Sequence, residues 1–453
     1  MAKPSKHMVL SIFMITAGYH YDSWTRPGSR VEELGELGLV KEMAQKAEAA
    51  KLDIMFFGDV SSAGKIPGAD PTVSGHYEPF TTLSALSQHT KNIGMIGTAS
   101  TTFYEPYNVA RLVAGLDEMS AGRAGWNMVT SSVGHENFGV TEIGSGEHRY
   151  RKAAEFADVV TRLWDSWADD AVVADRQRSM WADPERIQAL NHKGEFYDVQ
   201  GPLCMKRPVQ GRPIMVQAGS SAAGLEFGAQ YADVIYTSQP LKNESVEFTQ
   251  QFRQTVAKYG RRPQDVKVLP GIVPILGETQ AEADEILQDL GNHVNMKTGL
   301  YLLENRLEMQ LGGLDLDDRI PNEYWAKGPV KQSRSRWGIF RQLGQDEGYT
   351  IRDLILEHSR GHGHQWVAGT PSKVADLMID WFDSGACDGF NLNAPYIMGG
   401  FDSICDLLIP ELQERGYFRT EYEGTTLREN LGLERPGAWD TQQAAKEAEA
   451  QNV

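Results

Sequence analysis

Residues 120–132 read SAGRAGWNMVTSS. Glycine and other small residues lead into a short apolar run, which ends in the amide of Asn127 and the hydroxyls of Thr130, Ser131 and Ser132. A strand buried only for packing would stay rich in Val, Ile and Leu to its end, because a polar group taken out of water needs a partner. A strand that finishes this way reaches a mouth or cleft with its last residues.

The rest of the chain supplies the setting. Apolar strand-like runs recur at 8–16 (MVLSIFMIT), 52–58 (LDIMFFG), 93–99 (IGMIGTA), 124–130 (AGWNMVT), 213–218 (PIMVQA), 233–238 (DVIYTS), 266–276 (VKVLPGIVPIL) and 388–393 (DGFNLN). Most lack polar/apolar alternation, as expected of parallel strands covered on both faces. Helix-period segments separate them: Val40, Met43, Ala44, Ala47 and Ala50; Val109, Val113, Leu116 and Met119; Tyr150, Ala153, Ala157, Val160, Leu163, Trp164 and Trp167. Each set lines one helix face that can lie on a sheet. Eight strands alternating with helices predict an α/β fold, a (β/α)8 TIM barrel, with a doubly wound open sheet as the competitor because the same alternation serves both. Two stretches exceed a minimal barrel: 168–212, with a hairpin in NHKGEFYDVQGPL, and 279–370, a helical start followed by loop-like sequence. Insertions of this size are expected over the C-terminal mouth of the barrel, as a lid. The expected organisation is one domain over 1–436 and a polar tail over 437–453.

Composition narrows the partners. The chain has 453 residues, 23% charged and 41% hydrophobic, and a formal net charge of -17. Such a surface repels nucleic acid and anionic membranes, so a small-molecule partner is expected. No apolar stretch approaches the ~20 residues of a membrane span. Cys204, Cys387 and Cys405 have no CxxC spacing, which argues against a disulfide framework or thiolate metal site and fits a reducing cytoplasm. The run VLSIFMI near the N-terminus reads as a buried first strand rather than a signal peptide.

In a barrel, polar residues at the C-terminal ends of strands build the site. Four ends carry them: Asp59, Thr98–Thr102, Asn127–Ser132, and Gly219-Ser220-Ser221. Asp59 reads equally as a functional carboxylate or as a helix N-cap. GSSAAG at 219–224 opens a helix whose free N–H groups and hydroxyls can hold an oxyanion such as phosphate, although such starts also serve as plain caps. Arg149 and Tyr150 could reach the same anion or decorate a helix start. No GxGxxG follows a strand and no GxxxxGK[ST] loop exists, which argues against a Rossmann dinucleotide site and nucleotide triphosphate hydrolysis. His358, His362 and His364 in HSRGHGH read as a flexible loop rather than metal ligands, and no metal is expected.

Together, IMFFGD (54–59), TASTTFYEPYNVAR (98–111), MSAGRAGWNMVTSS (119–132), RYRKAAEF (149–156), VQAGSSAAG (216–224), VAGTPSKVAD (367–376) and PELQERGYFRTEYEGTTLRENLGL (410–433) resemble the flavin-dependent monooxygenases of the bacterial luciferase-like superfamily. The likeness is to the branch of nitrilotriacetate, EDTA and dibenzothiophene sulfone monooxygenases and long-chain alkane monooxygenase. It implies a two-component enzyme that takes reduced FMN from a separate NAD(P)H:flavin reductase and, with dioxygen, oxygenates a small organic substrate at carbon, nitrogen or sulfur through a flavin peroxide. It also implies a homodimer or homotetramer. Carried over, Asp59 lies near the flavin ring, Thr98 and Ser100 lie beside the isoalloxazine, and Tyr150, Ser220 and Ser221 lie on the phosphate side. The family often has a His four residues before the Tyr; that position is Gly146 here, and His148 is the nearby alternative. The alkane enzymes have a His where this chain has Ser132, which argues against an alkane substrate. His20 and Asn127 are candidates to polarise peroxide or substrate, and a structural role for each stays open. The alternatives are a metal-dependent barrel hydrolase, using Asp59 with His20, His358, His362 or His364, and a non-catalytic flavin-binding protein. A sister oxidoreductase using a deazaflavin fits the motifs less well.

Overall fold

The computed structural model describes residues 7–15, 17–62, 77–219, 221–326, 328 and 334–440. Its central sheet contains β1 (Val9–Phe13), β2 (Ile54–Phe57), β3 (Gly94–Ser100), β4 (Ala124–Val129), β5 (Ile214–Ala218), β6 (Val234–Thr237), β7 (Lys267–Leu276), β8 (Gln365–Gly369) and β9 (Gly389–Asn393). All pairings within it are parallel, and β9 pairs with β1 while β7 pairs with both β6 and β9, so eight strands close into a ring. That closure decides for the barrel over the open sheet. Each of the eight apolar runs forms one ring strand. The ninth strand, β8, pairs with the second half of β7 from Ile272↔Gln365 to Leu276↔Gly369, where the long β7 has run past the ring.

Side chains alternate along each strand, which divides the core in two. Val9, Ile54, Ile96, Ile214, Val216, Val234 and Leu269 fill the barrel, with Leu427, Leu431 and Leu433 of the C-terminal segment packed against them. Met55, Phe57, Met95, Trp126 and Met215 point outward onto helices α1 (Leu37–Ala49), α2 (Pro79–Leu86), α3 (Pro106–Met119), α4 (Gly146–Trp164) and α5 (Ala222–Tyr231). The turn into β4 explains the small residues of SAGRAG. Ala121 and Gly122 take φ values of 56° and 90°. A Cβ on Gly122 would lie 2.8 Å from Thr426 Cγ2. Arg123 then donates to the carbonyls of Ser87, Thr90, Ile93 and Ser120 and to Thr90 Oγ1, which satisfies its whole guanidinium and ties β4 to α2.

The segment 168–212 runs along α4 as two antiparallel hairpins, Val172–Asp175 with Met180–Ala182 and His192–Lys193 with Asp198–Val199. The Glu155 carboxylate anchors the second by accepting from the N–H groups of Glu195, Phe196 and Tyr197, with His192 Nε2 at 2.9 Å. Segment 279–370 is mainly helical: α6 (Gln280–Asn292), α7 (Met296–Leu307) and α8 (Ile351–Gly361) join two short helices at Asn322–Trp325 and Arg334–Arg341. It has its own core of Leu303, Leu307, Leu311, Trp325, Trp337, Phe340, Ile351, Leu354 and Ile355. The HSRGHGH stretch departs from the loop reading: α8 carries His358 and Ser359 as buried residues. A Thr350/Asp353 capping box starts that helix, and Ile351, Leu354 and Ile355 give it an apolar face that outweighs the later Gly and His.

Near the C-terminus, Ala438 is buried and Asp440 pairs with Arg186 at 3.2 Å, while 441–453 lie outside the described residues. Among the described residues no helix is long and apolar enough to cross a membrane.

Candidate active site

Above the apolar filling, the inward faces of the strands turn polar. Ser11 Oγ and Tyr236 Oη lie 2.8 Å apart, and Tyr236 tilts against Phe56, which stacks on Phe13 at 4.8 Å. One level up, the Thr98 hydroxyl donates to Phe57 O at 2.8 Å and accepts from Asn127 Nδ2 at 2.9 Å. A carbonyl only accepts, so the single Thr98 proton is committed, and Asn127 must present its nitrogen to Thr98. Asn127 Oδ1 is thereby turned away as a buried acceptor with no partner among the described residues. Asn391 Oδ1 is in the same state on β9, one register step along the ring from Ser11. Ser100, also buried, accepts from the Thr102 N–H at 3.1 Å.

Asp59 follows β2 and is half-buried. Burial raises its pKa, the nearby Glu78 carboxylate adds to the effect, and a hydrogen bond from the Val60 N–H opposes both. The helix N-cap here is Glu78, which accepts from Phe80 and Thr81 at the start of α2. Tyr104 lies close enough that burial and both carboxylates raise its pKa.

A second group forms on the flank of the mouth. Ser221 caps α5, its hydroxyl accepting from the Gly224 N–H at 3.1 Å. A Cβ built on Gly224 would stand 2.7 Å from the Tyr150 hydroxyl and 3.1 Å from Ser221 Oγ, and one on Gly219 would stand 3.1 Å from the same phenol. Tyr150 therefore hangs its hydroxyl over the N-terminus of α5, in a concavity that exists because both positions are glycine. Gln217 turns its Nε2 toward Gly219, while its Oε1 lies near Gly228, buried without a hydrogen-bond partner among the described residues. Gly146 is the first residue of α4 and is exposed, and the His148 ring meets Phe196 edge-on at 5.3 Å. The Arg149 guanidinium folds back onto Gly144 O at 2.9 Å. Ser220 lies outside the described residues.

Segment 279–370 docks on the loop that leaves β1. Arg26 pairs with Asp289 at 2.6 Å, Asp22 Oδ2 accepts from the Asn295 N–H at 2.9 Å, and His362 Nε2 lies 2.9 Å from Tyr19 O. His20 is buried, with Nδ1 2.9 Å from Tyr21 O and Nε2 3.2 Å from Ser359 Oγ on α8, so both ring nitrogens are held by the protein. Burial lowers its pKa to about 4, the Tyr21 carbonyl opposing and Arg360, Arg26 and His293 assisting. His20 is therefore neutral near pH 7. His364 reaches over Gly271 of β7, where a Cβ would collide with Nδ1. Among the described residues no group of three His, Cys, Asp or Glu could hold a metal ion.

Gln217 and Asn391 were not singled out by motif. Gln217 and Asn391 had a usable signal: each is an amide inside an apolar strand, IMVQA or GFNLN. His364 was named only within HSRGHGH, and its place over Gly271 depends on how segment 279–370 returns to the barrel.

The strands close into a parallel barrel with segment 279–370 docked on the β1 loop, and the model of the family "Luciferase-like monooxygenase" matches residues 13–387. The chain belongs to the luciferase-like monooxygenases. This monooxygenase is 40% identical over 444 residues to the N-acetyl-S-(2-succino)cysteine monooxygenase of Bacillus subtilis, covering 96% of this chain and 99% of the other. It is 38% identical over 447 residues to nitrilotriacetate monooxygenase component A of Aminobacter aminovorans, covering 95% and 98%. The crystal structure of DmoA from Hyphomicrobium sulfonivorans superposes with a TM-score of 0.84 at 28% identity, covering 97% of this chain and 96% of that one. The monooxygenase is thus a flavin-dependent oxidoreductase of the two-component kind. Its residues fit a flavin phosphate: a glycine-lined cradle at a helix N-terminus, a capping hydroxyl and a phenol are the donor set a phosphate needs.

Proposed function

We propose that the enzyme binds reduced FMN, delivered by a separate NAD(P)H:flavin reductase, and with dioxygen transfers one oxygen atom to a carbon, nitrogen or sulfur centre of a small organic substrate. The observation that carries the FMN reading is the convergence of Tyr150, Ser221, Gly219 and Gly224 on one spot. When bound, the flavin supplies the electrons that activate dioxygen. The chain's part is to place and enclose. The N-terminus of α5, Ser221 and the Tyr150 hydroxyl hold the phosphate. Thr98 fixes Asn127 so that its carboxamide oxygen accepts an N–H from flavin or substrate in the mouth. Asp59 and Ser100 stand at the neighbouring strand ends. Segment 279–370, held as a lid by Arg26–Asp289 and His20–Ser359, would keep water from the chamber in which a bound flavin meets dioxygen.

The reading also takes the chain as one catalytic domain over 1–436, working in the cytoplasm as a homodimer or homotetramer. The three free cysteines and the exposed Leu112 and Met119 on α3 support this. The two relatives named above guide the choice of trial substrates, N-acetyl-S-(2-succino)cysteine and nitrilotriacetate. The protein is supplied with FMN, a flavin reductase, NADH and 18O-labelled dioxygen. One labelled atom in the product and one in water are expected; product oxygen drawn from unlabelled water would contradict oxygen transfer.

A further inference from the structure

Four arginines of segment 279–370 and of the loop it docks on hold carboxylates, whereas Arg306, Arg319 and Arg341 pair with none among the described residues. Arg26 pairs with Asp289, Arg30 with Glu33 and Glu42, Arg352 with Asp317, and Arg360 with Glu357. Arg306 differs. It is half-buried on α7, and no carboxylate lies within 4 Å of it among the described residues. Its one hydrogen bond runs from Nε to His358 Nε2 at 3.2 Å. Arginine only donates, so His358 accepts there and is neutral on that side. The two terminal guanidinium nitrogens, with four N–H groups, are left without an acceptor among the described residues.

The place they occupy is not incidental surface. His358 meets the ring of Tyr21 at 5.5 Å, and Tyr21 meets His362 at 4.0 Å, so Arg306 sits where the lid closes on the loop leaving β1. The Arg306 charge acts on the Tyr21 phenol, whose hydroxyl has no hydrogen-bond partner among the described residues. A half-buried charge without a counter-ion is costly, and a planar fork of donors beside a phenol matches a carboxylate in two-pronged geometry.

We propose that Arg306, with the Tyr21 hydroxyl beside it, binds a carboxylate of the substrate, which makes carboxylate-bearing small molecules the substrate class of this enzyme. The assignment rests on the reading above, in which the chamber under the lid receives the substrate. It makes Arg306 a specificity residue and leaves the flavin to the opposite flank of the mouth, at α5.

Calorimetric titration tests it, with N-acetyl-S-(2-succino)cysteine and nitrilotriacetate as probes, each beside its trimethyl ester. The wild-type protein is expected to bind at least one acid about tenfold or more tighter than its ester, as charge-assisted pairing predicts. Arg306→Gln is expected to lose that preference while retaining its affinity for reduced FMN, measured anaerobically on the same sample. An undiminished acid preference in Arg306→Gln overturns the proposal, as does a wild-type protein that prefers neither acid. Should Arg306→Gln fail to fold by thermal melting, Arg306→Lys decides: it keeps the charge but loses the fork, and a preference equal to wild type overturns the assignment. Failure of the wild-type protein to bind reduced FMN would instead remove the flavin reading and leave the carboxylate result standing by itself.

Discussion

Gly224 has no side chain where Tyr150 puts its hydroxyl, and that absence opens the concavity proposed to take the phosphate. Ser221 gives the cleaner test of it, because its two roles can be separated. Aspartate caps a helix as well as serine and suits the positive end of the helix dipole, so Ser221→Asp should keep thermal stability within about 0.5 kcal/mol. The same substitution sets a carboxylate beside the phosphate, and reduced FMN should bind about tenfold more weakly, as a lost pairing and a like-charge contact predict. Fluorescence titration checks the second effect and a melting curve the first; unchanged FMN affinity would remove Ser221 from the site. At this scale the sequence was informative where a polar residue ended an apolar run. Asn127 could be placed at the mouth, yet the direction of its amide could not. That depends on Thr98 donating to Phe57 O, a contact between two strands.

Among the elements, α8 shows how local composition misleads. HSRGHGH is rich in Gly and His, but the helix is decided upstream by the Thr350/Asp353 box and by Ile351, Leu354 and Ile355. Its docking on the β1 loop has a pH signature. His20 faces Ser359 from α8, Tyr21 from its own loop, and the charges of Arg26, Arg360 and His293. Its pKa is about 4 in the folded protein and about 6.5 in an unfolded chain. Between those values the unfolded chain binds more protons, so the stability gained by burying neutral His20 is complete above about pH 6.5 and is lost as pH falls toward 4. Compared with His20→Gln, which does not titrate, the wild-type protein should lose up to about 3 kcal/mol across that window. Parallel melting midpoints for the two proteins from pH 7 to 4 would show that His20 is not the buried neutral group described here.

For the whole molecule, the eight ring strands were legible because parallel strands buried on both faces read as continuous apolar runs. The ninth, QWVAG, was hidden: five residues inside a long insertion, pairing only with the overhang of β7. The lid core was hidden for a related reason. Leu303, Trp325, Trp337, Phe340 and Ile355 come from separate short helices, so no single periodic stretch announces it. On the proposed reading the whole assembly adds a division of labour, with the phosphate held at α5 on one flank of the mouth and segment 279–370 covering it from the β1 side. The central claim is that the cradle holds the phosphate of FMN. Anaerobic titration of the wild-type protein with reduced FMN and, in parallel, with reduced riboflavin measures that phosphate alone. Tighter binding of FMN by about tenfold or more is predicted, as for a charge-assisted phosphate contact; equal affinities for the two would contradict it.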